Sequence, residues 1–179
     1  MNLTDKIKNG NVLRAIVAID LRNGIGKDGD LLFHIKSDMK RFKKLTTGHP
    51  IIVGRKTLES FPSGLPLQNR TNLVLSHDES LSGKDMYVFH SVDDIIDYIN
   101  ENYENETIYV CGGESVYKEF FPYCKYIDMT KVYDDCDADR FFPRITPDEW
   151  IVSPQAPYAD MRNSEDSWCQ FYFIEFKRK

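Results

Sequence analysis

The chain has 179 residues, of which 41% are hydrophobic and 28% charged, and its formal net charge is −5. That length suits one domain with a full-sized core, so the expected organisation is a single domain over 1–179 with a polar extension at 1–11. The acidic balance offers no basic field for nucleic acid or an anionic membrane, no apolar run is long enough to span a bilayer, and the opening MNLTDKIKNGNV lacks the apolar stretch of a secretory signal.

NVLRAIVAID (11–20) is short, apolar and β-branched, which predicts a buried strand. LRNGIGKDGD (21–30) is glycine-rich and reads as a long flexible loop of the kind that serves as a lid. In GDLLFHIKSDMKRFKKL (29–45), Ile35, Met39, Phe42 and Leu45 recur at helical spacing, with Ser37 as the expected N-cap. Asp38 falls on or beside that apolar face. An acid in the first turn opposes the helix dipole, which is a structural reason for it; a carboxylate against an apolar face also suits a ligand site.

HPIIVG (49–54) is a second strand, followed by a short helix at RKTLESF. LPLQNR is a loop, and Pro62 and Pro66 disfavour regular structure around it. TNLVLS (71–76) and DMYVFH (85–90) are further strands. SVDDIIDYINENY is a helix opened by Ser91, with Asp94 three residues on, close to a capping box. ETIYVCGG (106–113) is a fifth strand, and ESVYKEFF a helix stopped by Pro122. The last third changes character: YIDMTKVY, EWIVSPQ and CQFYFIEFKRK are strand-like with no long helix between them. Alternation followed by strands predicts an α/β fold. Its central sheet is mostly parallel and twisted, flanked by helices on both faces, and ends in a C-terminal antiparallel hairpin.

Cys111, Cys124, Cys136 and Cys169 show no metal-type spacing, and His34, His49, His77 and His90 are equally scattered, so no metal is expected. Lone thiols fit a reducing cytoplasm. In open α/β sheets ligands collect at the carboxyl ends of strands. Gly54-Arg55-Lys56-Thr57, Ser76-His77 and Gly112-Gly113-Glu114-Ser115 all follow strands. Adjacent glycines at a strand-to-helix turn let a phosphate approach backbone N–H groups, and Arg55 and Lys56 add positive charge. A tight turn is the plainer reading of the glycine pair. GRKT lacks the upstream glycine of a phosphate-binding P-loop, because position 49 is His. GIGKDG satisfies the dinucleotide pattern but opens no predicted helix.

These pieces, in this order, resemble a dihydrofolate reductase of the bacterial type. They are IVAID…NGIGKDG, SDMKRFKKLT, PIIVGRKTLESFP, LPLQNRTNLVLS, VCGGESVY and MTKVY…DADRFFP. The resemblance covers residue 12 to the C-terminus and implies the fold just described. It implies hydride transfer from NADPH to C6 of dihydrofolate, with protonation of N5, in tetrahydrofolate biosynthesis. Asp38 matches the acidic residue of the substrate pocket and Thr130 the hydroxyl that supports it. Ile16, Val17, Phe33, Phe42, Leu65 and Cys111 match the walls of that pocket, and Arg70 the residue that pairs with the substrate's glutamate tail. Ala18 and Ile25 match nicotinamide contacts. Gly54, Arg55, Lys56, Thr57, Leu75, Ser76, His77, Gly112, Gly113, Ser115, Val116 and Tyr117 match cofactor-binding positions, with Arg55, Ser76 and His77 at the ribose 2′-phosphate.

The implied protein is a cytoplasmic monomer that binds dihydrofolate and antifolate inhibitors, and no nucleic acid or membrane. Leu32-Phe33 stands where the family has Pro-Trp, which removes an indole donor. Two other readings stay open: a related reductase acting on another heterocycle, and a nucleotide-binding protein without catalysis. Without the resemblance, Arg70 is an exposed loop arginine, Phe42 and Leu65 are core residues, and Cys111 is a small apolar strand residue.

Overall fold

A computed structural model describes residues 2–153 and 169–179. The strands are β1 (Val12–Ile19), β2 (Gly24–Lys27), β3 (Asp30–Leu31), β4 (Pro50–Gly54), β5 (Thr71–Leu75), β6 (Met86–Phe89), β7 (Thr107–Gly112), β8 (Tyr126–Val132), β9 (Arg140–Phe141), β10 (Trp150–Val152) and β11 (Phe171–Arg178). The helices are α1 (Lys36–Thr46), α2 (Arg55–Glu59), α3 (Val92–Asn102) and α4 (Glu114–Phe120). An eight-stranded sheet has the order β10-β11-β8-β1-β7-β4-β5-β6, and β3-β2-β9 form a small second sheet. The expected α/β class, mostly parallel with a terminal antiparallel pair, is what is found. The predicted strand EWIVSPQ runs past Ser153, and its tail lies outside the described residues.

Two compact units are distinguished: Met1–Arg14 with Thr46–Lys125, and Ala15–Leu45 with Tyr126–Lys179. In the first, β7, β4, β5 and β6 pair in parallel. Ile51, Ile52 and Val53 are fully buried, the continuous apolar run of a strand covered on both faces. Helix α4 packs on β7 and β4, α2 on β4 and β5, and α3 on β5 and β6. The cap predicted for α3 forms: Ser91 Oγ accepts from Asp94 N at 3.1 Å. The polar leader is not loose chain. Leu3–Lys6 form a 3₁₀ turn, and Asn9 and Asn11 donate to the carbonyls of Asn100 and Tyr103 at the end of α3, at 2.7 and 2.8 Å. These bonds satisfy carbonyls that a helix end leaves open.

In the second unit, β10, β11 and β8 are antiparallel neighbours. Residues 21–30 are not the loop expected. Gly24–Lys27 is a strand held between Asp30–Leu31 and Arg140–Phe141. The Asp20 carboxylate, buried, accepts from Arg22 N, Gly24 N and Cys136 N at 2.8, 2.6 and 3.2 Å. Glycine is required at 24, because a Cβ there would lie 2.5 Å from that of Ala138. Ser37 lies inside α1 rather than capping it, since the helix begins at Lys36.

Candidate active site

Helix α1 meets strand β8 through polar contacts of Asp38 and Arg41. Thr130 Oγ1 donates to Asp38 Oδ1 at 2.5 Å, and Arg41 Nη2 donates to Asp128 Oδ1 at 3.2 Å. Asp38 and Arg41 are three apart on a helix, and Asp128 and Thr130 two apart on a strand, so each pair shares one face. The Arg41 guanidinium also lies 4.9 Å from the centre of the Phe173 ring, and Phe173 is the cross-strand partner of Thr130. This double clamp sets the rotation of α1 and hence the direction of the Asp38 carboxylate.

The inward face expected of α1 is found at Ile35, Phe42 and Leu45, with Asp38 beside them, and fails at Met39. Met39 is 54% exposed, whereas Asp38, Arg41, Phe42 and Leu45 are half-buried and Thr46 is buried. Asp38 lies on the inward stripe itself, displacing the apolar Met39 one position outward. Thr130 is fully buried, so its hydroxyl is an oriented donor rather than a solvated one. Ile16 and Val17 are buried on β1, and Ala18 is half-buried there. Phe33 packs in a buried cluster with Ile35, Val132 and Phe171, against which Ala18, Leu32, Cys136 and Cys169 also pack. Ile25 lies within β2, where its carbonyl accepts from Leu32 N at 3.2 Å.

In the other unit Arg70 is fixed on three sides. Nε donates to Thr46 Oγ1 at 2.8 Å, Nη2 to Thr47 Oγ1 at 3.1 Å, and Nη1 to the carbonyl of Gln68 at 2.7 Å. Each terminal nitrogen keeps one more N–H, which is the fork a carboxylate accepts. Desolvation lowers the pKa of Arg70 from its ordinary value. The loop that carries it is anchored by buried Asn72, whose amide donates to the carbonyls of Leu67 and Arg70 and accepts from Leu67 N. Leu65 is exposed. Burial pushes the Cys111 thiol far up, so it stays a neutral strand residue.

The strand ends of the same unit make a crowded backbone surface. The Gly112–Gly113 peptide is cis, with Gly112 at φ 106. A Cβ on Gly112 would lie 2.9 Å from the Tyr117 ring, one on Gly113 3.3 Å from Thr57 Oγ1, and one on Gly54 3.1 Å from Val116 Cγ2. Only glycine leaves these amides approachable. Val116 and Tyr117 are buried and Ser115 exposed. Arg55 and Lys56 open α2 directly from Gly54, and Arg55 Nη1 pairs with Glu59 Oε1 at 2.6 Å. Leu75 ends β5, and Ser76 Oγ accepts from Asp78 N at 3.0 Å. Hydrogen bonds from Ser80 hold the Asp78 carboxyl below its usual range, with Arg55 adding to the effect.

A family model for dihydrofolate reductase matches residues 12–178. The chain belongs to the dihydrofolate reductase family. It is similar to dihydrofolate reductases of Bacillus subtilis (36% identical, covering 92% of this chain and 93% of that protein) and Staphylococcus haemolyticus (36% identical, covering 88% and 92%). Among solved structures it is similar to the Enterococcus faecalis dihydrofolate reductase complexed with NADP(H) and RAB-propyl, with a TM-score of 0.82, 31% identity, and 96% and 98% of the two chains covered. Among the described residues no helix is long and apolar enough to cross a membrane, and no cluster of ligating side chains could hold a metal.

Within this reductase family frame, Thr46, Thr47, Asn72 and Arg41 are supporting residues that sequence reading misses. Arg41, Thr46 and Thr47 act through partners distant in the chain, whereas Asn72 acts on Leu67 and Arg70 close by and leaves a local trace, as a polar residue inside an apolar strand.

Proposed function

We propose that this chain reduces 7,8-dihydrofolate to 5,6,7,8-tetrahydrofolate with NADPH, and that Asp38 is the residue that grips the pterin. The observation that carries the reading is the half-buried Asp38 carboxylate held by the buried Thr130 hydroxyl. A carboxylate accepts two parallel N–H bonds, and a pterin offers an exocyclic amino group beside a ring N–H. The fixed negative charge favours positive charge on the bound ring, and so helps N5 take a proton from water. Asp38 and Thr130 are the catalytic pair in this reading. Ile16, Val17, Phe33, Phe42, Leu65 and the Cys111 backbone line the pocket, and Arg70 takes the α-carboxylate of the glutamate tail.

NADPH, when bound, supplies the hydride. The strand-end residues fit it chemically: the Gly54, Gly112 and Gly113 backbones would hold the pyrophosphate with Ser115, Val116 and Tyr117, and Arg55, Lys56 and Thr57 the adenosine phosphates. Arg55, Ser76 and His77 would hold the 2′-phosphate, with Leu75 beside them, and Ala18 and Ile25 the nicotinamide. We assign the chain to the cytoplasm, as a monomer that works as one functional domain over 1–179 with an extension at 1–11. None of its four cysteines is joined in a disulfide, in keeping with a reducing compartment.

Following NADPH absorbance on addition of dihydrofolate tests the reading. Turnover is expected, and tight NADPH binding without turnover would overturn it. Arg70→Ala is expected to raise KM for dihydrofolate by about 10- to 100-fold, the worth of a lost charge-assisted bond. It should scarcely affect a dihydropterin that has no glutamate tail, and steady-state kinetics with the two substrates check this.

A further inference from the structure

Strands β5 and β6 run in parallel with Leu75 beside Phe89, so the next residues of each, Ser76 and His90, leave the sheet side by side. Ser76 N continues the ladder to the Phe89 carbonyl at 2.9 Å. The His90 ring then turns across it, with Nδ1 2.7 Å from the Ser76 carbonyl. A carbonyl only accepts, so Nδ1 carries the proton. The same ring stacks on His77, with planes 12° apart and centroids at 6.2 Å. Ser91, next in the chain, is locked as the α3 cap, so His90 is held from both sides. Both imidazoles are exposed, where a ligand can reach them.

We infer that His90 is a positioning residue for cofactor specificity: it fixes the Ser76 backbone and the His77 ring so that the Ser76 hydroxyl and the His77 imidazole present donors to the ribose 2′-phosphate of NADPH. This rests on reading Ser76 and His77 as the 2′-phosphate end. An extra phosphate is the only feature that separates NADPH from NADH, so the effect of His90 must fall on the ratio of the two. One hydrogen bond and one ring face set that arrangement, and neither belongs to the chemistry of the nicotinamide.

The experiment measures kcat and KM for NADPH and for NADH in the intact protein and in His90→Ala, His90→Gln and His77→Ala. His90→Ala is expected to raise KM for NADPH about five-fold, the scale of one lost hydrogen bond, with much smaller changes in kcat and in the NADH parameters. His90→Gln, whose amide N–H can still donate to the Ser76 carbonyl, should recover part of the loss. Equal losses with both cofactors, or no loss, would overturn the inference. If His77→Ala leaves the NADPH-to-NADH ratio untouched, the 2′-phosphate reading itself falls. If His77→Ala lowers the ratio and His90→Ala does not, only the role of His90 falls.

Discussion

Asp38→Asn is expected to lower kcat by about 10²- to 10³-fold, the usual cost of removing a preorganised charge from a reacting centre. Asparagine keeps the shape and can still bond Thr130, so folding should be nearly unaffected. What is lost is the negative charge that favours a proton on the bound ring. N5 must then be protonated without that help, and the rate should rise about tenfold per pH unit of acidification over a wider range than in the parent chain. Pre-steady-state NADPH oxidation across pH checks both outcomes. A rate within a few-fold of the parent at neutral pH would remove Asp38 from the chemistry.

Arg41→Ala is expected to be the most destabilising single change near the site. Asp128 is 5% exposed and Arg41 20%, so the pair is largely out of water. Glu175 lies directly across the ladder from Asp128, which sharpens the need for a nearby cation. Removing the guanidinium from such a carboxylate costs about 3–5 kcal/mol. For a chain of this size that is a fall in Tm of roughly 6–20 °C. The double variant Arg41→Met with Asp128→Leu should recover much of the loss, because an apolar pair needs no compensation. Since the same clamp aims Asp38, the surviving fold of Arg41→Ala should also show a raised KM for dihydrofolate. Thermal unfolding by circular dichroism, with kinetics on the same samples, separates the two effects.

The contrast between what the sequence showed and what it hid has a physical basis. The Ser91 cap was legible because Ser91 and Asp94 act within one helical turn. β4 was legible because a strand buried on both faces leaves an unbroken apolar run. β2 was hidden, since two of the four residues in GIGK are glycines, which disfavour a strand, and the segment gains its order from Leu31, Arg140 and Phe141, the last two far along the chain. The face of α1 was misread at Met39 because helical spacing ranks apolar residues inward, while here Asp38 and Arg41 win the inward positions through Thr130 and Asp128. The chemistry of Asp38 was legible only through family resemblance; alone, it is one more first-turn acid. The Thr46 and Thr47 bonds that hold Arg70 had no sequence signature, and Asn72, which anchors its loop, showed only as a polar residue inside an apolar strand.

The most direct test concerns the charge state of a bound diaminopyrimidine antifolate, read from its ultraviolet spectrum. At a pH one to two units above the free ligand's pKa, the parent chain should hold the ring in its protonated form, paired with Asp38, and Asp38→Asn should bind the neutral form at least about 100-fold more weakly. A neutral spectrum in both proteins, with similar affinity, would contradict the account.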